Sequence, residues 1–329
     1  MSVYGFGNAL LDVLIQVNDK DLAEMNRKKG DFKGANAKEI SDVLDRFKDH
    51  PKVQCAGGGE ANTMKTLGFL GTDAHFLCRL GKDESGDFYV EHMRRHGVTI
   101  DAIRTDTPTG TCLCLITPDG QRTFLTYTGA SEELNPNDFK IDVLADRDMV
   151  YFTGFALYGE NQRACAQHIV QEAGRLGKKL AFDAAAPLVV KKRRDIVTDL
   201  LTRHVDLAFF NEDEAAEFTG LTQGGSDLVR LATTTGLSRL LYHFVYKWGA
   251  DGALAYEDGI AQRIPAHKTN AIDTTGAGDS FAAGYIHGLL KGYDVHRRGA
   301  LAAKIASIVV SQVGTELRDE HRTQLAKYV

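Results

Sequence analysis

The sequence lacks several features that would assign a chain quickly to a common class of protein. No apolar stretch is long enough to span a membrane, and residues 1–17 carry Asp12 inside their apolar run and no basic segment, unlike a signal peptide. The formal net charge of −5 argues against a nucleic-acid surface, because phosphate backbones require clustered lysine and arginine. The one basic run, residues 191–195, is typical of a solvated helix face. We therefore expect a cytoplasmic protein that binds neither nucleic acid nor membrane.

Cysteine is scarce as well, with five in 329 residues. Only Cys112 and Cys114 lie close together, and no pair has the spacing of a zinc site or a disulfide framework. A reducing compartment fits this pattern.

The two commonest glycine motifs of nucleotide-binding proteins are also missing. GK occurs at 81–82 and 177–178, but the positions five residues before these glycines hold Phe76 and Glu172, so there is no Walker A loop. The stretch GGGEAN at 57–62 lacks the last small residue of the dinucleotide fingerprint. An NAD-dependent dehydrogenase is therefore disfavoured.

What the sequence does contain is a regular alternation of apolar runs and helix-forming stretches. With 43% hydrophobic and 25% charged residues, a large core can be buried. The alternation predicts an α/β fold with a doubly wound, mostly parallel sheet. The predicted strands lie within the segments VYGFG, AHFLCRLG, DMVYFTG, KKLAFDA, VDLAFFN and LLYHFVYKWG, and predicted helices include 60–71, 160–177 and 211–219.

One segment departs from the alternation. Residues 107–131 read as two strands joined by a turn at PDGQ, with no helix between them. We predict a small β lid from residues 13–34 and 107–128, and an α/β core from residues 1–12, 35–106 and 129–329. The apolar face of the lid (Leu113, Leu115, Phe124 and Tyr127) would need cover from a bound molecule or from a second lid, and the second case would give a homodimer.

The segment IDTTGAGDSFAAGYI at 272–286 places three small residues before an aspartate and a helical pattern. Small residues let backbone N–H groups approach an anion closely, and a helix N-terminus attracts negative charge. Asp279 could simply cap this helix. It could also act as a general base for a hydroxyl that attacks a phosphoryl group held by Gly276, Ala277 and Gly278.

These residues resemble a known family, the ribokinase-like (phosphofructokinase-B) sugar and nucleoside kinases. Asp273–Asp279 matches the D-T-x-G-A-G-D signature of that family, and four further segments follow in the family's order. They are GNALLD (7–12), GGGEANT (57–63), NEDE (211–214) and KWGADGALAY (247–256). The resemblance covers nearly the whole chain and is closest to the adenosine-kinase-like bacterial branch.

The resemblance implies an ATP-dependent kinase that uses Mg²⁺ and phosphorylates a primary hydroxyl, with Asp279 as base. A monovalent cation such as K⁺ stays an open alternative. The residues that it implies for acceptor binding are Asn8, Asp12, Gly57, Gly58, Asn62 and Asp279. Those that it implies for the nucleotide are Asn211, Glu214, Lys247, Gly249, Gly252, Ala277, Gly278 and Ala303, with Glu214 holding Mg²⁺ through water. Arg122, on the lid, could lie near the phosphoryl group.

Three classes of acceptor can be ranked from the sequence. A nucleoside such as adenosine comes first and an unphosphorylated sugar such as ribose or fructose second. A sugar phosphate comes last, because the carboxylate of Glu60 would repel it. A non-catalytic regulator on the same fold is a remote alternative, since the candidate base Asp279 is present.

Overall fold

The apolar runs bounded by glycine, aspartate or asparagine form the strands of the protein in a computed structural model, which describes residues 1–221 and 227–329. Numbered along the chain, the strands are β1 (Ser2–Phe6), β2 (Leu10–Gln16), β3 (Phe32–Gly34), β4 (Lys52–Gly57), β5 (Asp73–Gly81), β6 (Val98–Thr105), β7 (Gly110–Ile116), β8 (Arg122–Tyr127), β9 (Met149–Thr153), β10 (Lys179–Asp183), β11 (Leu207–Phe210), β12 (His243–Lys247), β13 (Ala253–Glu257) and β14 (Ile260–Ile264).

Helices fill most of the connections between these strands. They are α1 (Asp19–Glu24), α2 (Ala37–Arg46), α3 (Gly59–Phe69), α4 (Glu84–Arg95), α5 (Ile141–Ala145), α6 (Glu160–Arg175), α7 (Pro187–Lys192), α8 (Arg194–Arg203), α9 (Glu212–Thr219), α10 (Asp227–Ser238), α11 (Ala277–Leu290), α12 (Val295–Val310) and α13 (Asp319–Leu325). None of the helices within the described residues is both long and apolar enough to cross a membrane.

Nine strands form a large sheet in the order β14-β13-β12-β11-β10-β9-β1-β5-β6. From β12 to β6 every neighbouring pair is parallel. At the other edge, β13 is antiparallel to both of its neighbours, β12 and β14. Side chains alternate between two cores: Tyr4 and Phe6 of β1 join the core packed by α6 and α8, whereas Val3 joins the core packed by α3 and α11. The doubly wound, mostly parallel sheet is therefore confirmed.

The other five strands form a second, small sheet in the order β3-β8-β7-β2-β4. The antiparallel pair β7 and β8 is the hairpin predicted at 107–131. One face of this sheet packs Leu11, Val13 and Leu113 against Ile40 of α2 and Leu22 of α1. The opposite face carries Asp12 and Arg122, and it faces the carboxyl ends of the large sheet's strands.

The small sheet differs from the predicted lid in two respects. It includes β4, which the sequence analysis placed in the core segment 35–106. In addition, Leu113, Leu115 and Tyr127 lie on the face covered by α1 and α2 of the same chain, while Phe124 lies on the other face beside Cys114. The predicted apolar face is thus divided between two sides, and a second copy of the chain is not needed to cover Leu113 and Leu115.

Candidate active site

The turn of small residues predicted at 276–278 forms the beginning of α11. Gly276 is the N-cap residue with φ of +69°, in the left-handed region, and no side chain caps the helix there. A Cβ at this position would lie 2.5 Å from Cγ2 of Thr315, so glycine also gives the turn its close packing. The N–H of Ala277 donates to the carbonyl of Thr274 over 3.3 Å. The N–H groups of Gly278 and Asp279 lie in the first turn of the helix, where backbone N–H groups have no acceptor within the helix, so they can face an anion.

Asp279 lies in the first turn of α11, but it does not cap the helix. Its Oδ2 instead accepts a hydrogen bond of 3.0 Å from Nδ2 of Asn62 on α3, and Oδ1 of Asn62 accepts one of 2.9 Å from the Thr315 hydroxyl. Burial raises the pKa of Asp279 to about 6, against the opposing effect of the Asn62 bond. A carboxylate with that pKa is ionised at neutral pH and basic enough to accept a proton there.

Asp12 lies in the middle of the small sheet, on the face turned toward Asp279. Cys55 of β4 pairs with it on one side and Cys112 of β7 on the other. A Cβ on Gly57 would lie 2.1 Å from Oδ2 of Asp12, so the carboxylate occupies the space that this glycine leaves. Burial raises the pKa of Asp12 to about 7; the Lys65 ammonium lowers it and Asp279 raises it further. The two aspartates therefore act on each other across one site.

Asn8 and Gly58 form one wall of the same site. Gly58 is the N-cap residue of α3 with φ of +104°, and a Cβ there would lie 2.2 Å from the carbonyl oxygen of Asn8. Oδ1 of Asn8 accepts a hydrogen bond of 2.8 Å from Nε2 of Gln162, which also donates to the carbonyl of Ser131. Gln162 thus fixes the orientation of the Asn8 amide.

Arg122 connects the small sheet to the turn that precedes α11. Its Nη1 lies 2.6 Å from Oδ1 of Asp273 and donates to the hydroxyl of Thr275 over 2.9 Å. Asp273 is fully buried, and its two oxygens also accept the N–H groups of Thr275 and Gly314. Arg122, whose role the sequence left undecided, therefore reaches the turn that precedes α11.

Glu60, in the first turn of α3, is fully buried beside this site. Its Oε1 accepts a hydrogen bond of 2.6 Å from the hydroxyl of Thr153, the last residue of β9. Burial raises the pKa of Glu60 to about 7, and the Thr153 bond lowers it.

A second group of charges surrounds the end of β12. Nζ of Lys247 lies 2.7 Å from Oδ2 of Asp183, and a Cβ on Gly278 would be 3.3 Å from the same Nζ. Burial lowers the pKa of Lys247, but Asp183 and Glu214 more than offset this, so its pKa is raised. The ammonium group therefore stays charged next to the N-terminus of α11.

Asn211 and Glu214 form the capping box at the beginning of α9. Glu214 accepts from both the backbone N–H and the side-chain amide of Asn211, each over 2.8 Å, and the N–H of Glu214 donates to Oδ1 of Asn211. Burial raises the pKa of Glu214 to about 7; Lys247 lowers it and Asp183 raises it. Only 2% of Glu214 is exposed, so its carboxylate is buried within the capping box near Lys247 and Asp183.

The remaining predicted nucleotide residues lie further along the same edge. Gly249 and Gly252 flank a short turn between β12 and β13. Ala303 lies on α12 within the hydrophobic core, and with 5% of its surface exposed it offers little area to a nucleotide base.

Sequence reasoning missed Asp183, Thr153 and Thr315. Asp183 and Thr153 each end a predicted strand, at the edge where ligands of parallel sheets bind, so this signal was present. Thr315 gave no signal, since it lies in a loop and its partner Asn62 is 253 positions away.

A buried carboxylate at a glycine-rich helix N-terminus thus faces a second buried carboxylate on the small sheet, an arrangement that suits a small-molecule kinase. The family model described as pfkB family carbohydrate kinase matches residues 35–322, and the chain belongs to this family.

Both sugar kinases and a nucleoside kinase resemble this chain. It is 29% identical over 265 residues to the 5-dehydro-2-deoxygluconokinase of Bacillus subtilis (strain 168), covering 78% of this chain and 81% of the relative. It is 28% identical over 247 residues to a fructokinase of Klebsiella pneumoniae, covering 72% and 78%. The structure of adenosine kinase from Sinorhizobium meliloti superposes with a TM-score of 0.88 at 25% identity, covering 100% of this chain and 99% of that one. Kinases of this family act on sugars or nucleosides and use ATP.

Proposed function

We propose that this chain transfers the γ-phosphoryl group of ATP to a primary hydroxyl of a nucleoside or an unphosphorylated sugar, with Asp279 as general base. The observation that carries the proposal is the position of the Asp279 carboxylate. It lies at the glycine-rich N-terminus of α11, is oriented by Asn62, and faces Asp12 of the small sheet.

The proposed chemistry requires little from the protein beyond positioning and charge. The acceptor hydroxyl would donate to Asp279 and lose its proton to it as the oxygen attacks. The N–H groups at the beginning of α11 and the Lys247 ammonium would stabilise the negative charge on the moving phosphoryl group. Arg122 would hold the small sheet over the reacting groups, because its contacts with Asp273 and Thr275 fix the turn.

Asp12 would bind hydroxyl groups of the acceptor. A carboxylate accepts two donors at once, which suits vicinal hydroxyls. Phe124, which is half-buried on the same face of the small sheet, offers an apolar surface to the acceptor. This surface could cover a nucleobase or the carbon skeleton of a sugar.

Mg²⁺ would be held by Glu214 and Asp183. Burial and the nearby Asp183 carboxylate raise the pKa of Glu214, and a divalent cation would offset the negative charge of the pair. When bound, Mg²⁺ neutralises phosphate charge. Contact through water is expected, because both Glu214 oxygens already accept hydrogen bonds from Asn211.

We place adenosine first among acceptors because the bacterial adenosine kinase structure matches this chain over its whole length. Fructose and ribose come second, supported by the fructokinase relative. A screen of these acceptors by coupled ADP release, with an acceptor-free blank for ATP hydrolysis, tests the proposal.

The base is tested with Asp279→Asn, which keeps the size of the side chain and its contact with Asn62. We expect kcat to fall at least about 100-fold, within the range for a lost general base, while ATP binding is retained. The matched control is Asp294→Asn, the same change at the N-cap of α12, where asparagine caps equally well. An Asp279→Asn enzyme with more than about a tenth of the wild-type kcat would exclude Asp279 as the base.

A further inference from the structure

Glu60 has more capacity for hydrogen bonding than the protein uses. The residue is fully buried and Oε1 accepts from Thr153, but Oε2 has no hydrogen-bond partner among the described residues. Burying a carboxyl oxygen without a partner is unfavourable, and such groups in folded proteins call for an explanation. A bound molecule that donates to Oε2 would supply one.

The position of Glu60 places this oxygen near the proposed acceptor. The side chain lies over Gly7, which follows β1, and it bonds to Thr153 at the end of the adjacent strand β9. The methyl group of Thr153 and the carboxylate of Asp279 both pack against Gly59, at 3.6 and 3.5 Å from an ideal Cβ. Glu60, Thr153 and Asp279 are therefore contiguous at the carboxyl edge of the sheet, where ligands of such folds bind.

The charges around the site do not favour an anionic acceptor. Three nearby cations are already paired: Arg122 with Asp273, Lys247 with Asp183, and Lys65 with Glu316. Glu60 adds a carboxyl group to those of Asp12 and Asp279. A carboxylate or phosphate on the acceptor would meet these carboxyl groups, while the three cations that the described residues place nearby are already paired.

Building on the proposed kinase function, we propose that Glu60 is a specificity-determining residue of the acceptor site. Its Oε2 accepts a hydrogen bond from a hydroxyl group of a neutral acceptor and repels acceptors that carry a carboxylate or a phosphate. Selection of this kind combines one favourable contact with one repulsive contact at the same atom. It predicts that this chain does not share the acceptor class of its gluconate-type relatives.

The test compares adenosine, ribose and fructose with the sugar acid 5-dehydro-2-deoxygluconate, using kcat and KM from coupled ADP release. We expect wild-type kcat/KM for the best neutral acceptor to exceed that for the acid by about 100-fold. Glu60→Gln keeps the shape and removes the charge. It should raise KM for the neutral acceptor about tenfold, leave kcat within about threefold, and lower KM for the acid.

Glu84→Gln is the matched control, since it makes the same change in the first turn of α4 at an exposed position. It should leave the ratio of kcat/KM for the neutral acceptor to kcat/KM for the acid at the wild-type value. A purely structural role of Glu60 would lower activity on all acceptors equally and leave this ratio unchanged, which would overturn the inference.

If Glu60→Gln does not fold, the acceptor preference of the wild-type enzyme tests the inference. A wild type that prefers the acid would overturn the role of Glu60 while leaving the kinase function intact. A wild type that releases ADP with none of the four acceptors would overturn the kinase proposal and this inference together.

Discussion

At the scale of single residues, the proposed function assigns acceptor binding to Asp12 and the chemical step to Asp279. If Asp12 accepts hydrogen bonds from vicinal hydroxyls, Asp12→Ala should raise KM for the acceptor at least about tenfold, because a charge-assisted bond contributes roughly 1.5–3 kcal/mol. KM for ATP should change little. Steady-state kinetics with each substrate varied in turn measures both effects.

A deoxy acceptor sharpens this prediction. It should be a poor substrate for the wild type but suffer much less from Asp12→Ala, since the bond is already missing. The control is Asp42→Ala, which removes a carboxylate from the exposed face of α2, the helix that packs on the small sheet. It should leave KM for both acceptors at the wild-type value. Equal losses on the full and the deoxy acceptor would place Asp12 outside the acceptor site.

The sequence allowed these two residues to be named, because each belongs to a segment whose order along the chain is characteristic of the family. Their immediate partners could not be named. Asn62 donates to Asp279 across 217 positions, and Thr315 orients Asn62 from a loop near the end of the chain. Such contacts depend on how helices pack against each other, which local residue patterns do not encode.

At the scale of elements, Arg122 on β8 connects the two sheets. Arg122→Gln would leave the buried Asp273 carboxylate with its backbone donors but no countercharge, which is unfavourable. We expect kcat to fall at least about tenfold, because the turn before α11 would lose both its orientation and the cover of the small sheet. Single-turnover kinetics with saturating substrates measures this loss.

Lys33→Gln provides the comparison for that change, since it removes a positive charge from the exposed strand β3 of the same sheet. It should leave kcat unchanged. If Arg122→Gln also kept the wild-type kcat, the contact between β8 and the turn would have no part in catalysis.

The elements themselves were predictable to different degrees. Six of the nine strands of the large sheet are largely apolar, because helices cover both faces of the sheet there, and each of the six predicted segments overlaps one of these strands. The edge strands of the small sheet were not predicted. All of β3 and the first half of β4 lack buried residues, so neither shows an apolar run, and their pairing comes from neighbours far along the chain.

For the molecule as a whole, the buried carboxyl groups of the candidate site reduce the free energy of unfolding at neutral pH. Asp12, Glu60 and Glu214 have pKa values raised to about 7, and that of Asp279 is raised to about 6, chiefly by burial. At these four groups the folded state binds more protons than the unfolded state between about pH 4 and 7, whereas at His243 and His287, whose pKa burial lowers to about 4, it binds fewer. By linkage, the contribution of the four carboxyl groups to the free energy of unfolding should fall as the pH rises through this window, against that of the two histidines.

Asp279→Asn tests this effect without substrates. At pH 8 it removes a buried charge and should raise the Tm by a few degrees, whereas at pH 5, where the carboxyl is protonated in the folded state but ionised in the unfolded state, the gain should be about half as large. Thermal melts followed by circular dichroism measure the difference. A gain of equal size at both pH values would show that the charge is not its cause.

The position of β1 has a consequence for synthesis on the ribosome. This strand is made before both of its neighbours in the sheet, β5 and β9, and the second neighbour exists only once residues 149–153 have left the exit tunnel. The small sheet is complete before then, at Tyr127. For an interval of translation, the nascent chain can therefore carry the complete small sheet with Asp12 while one edge of β1 is open, which is the stage at which a chaperone would protect it best.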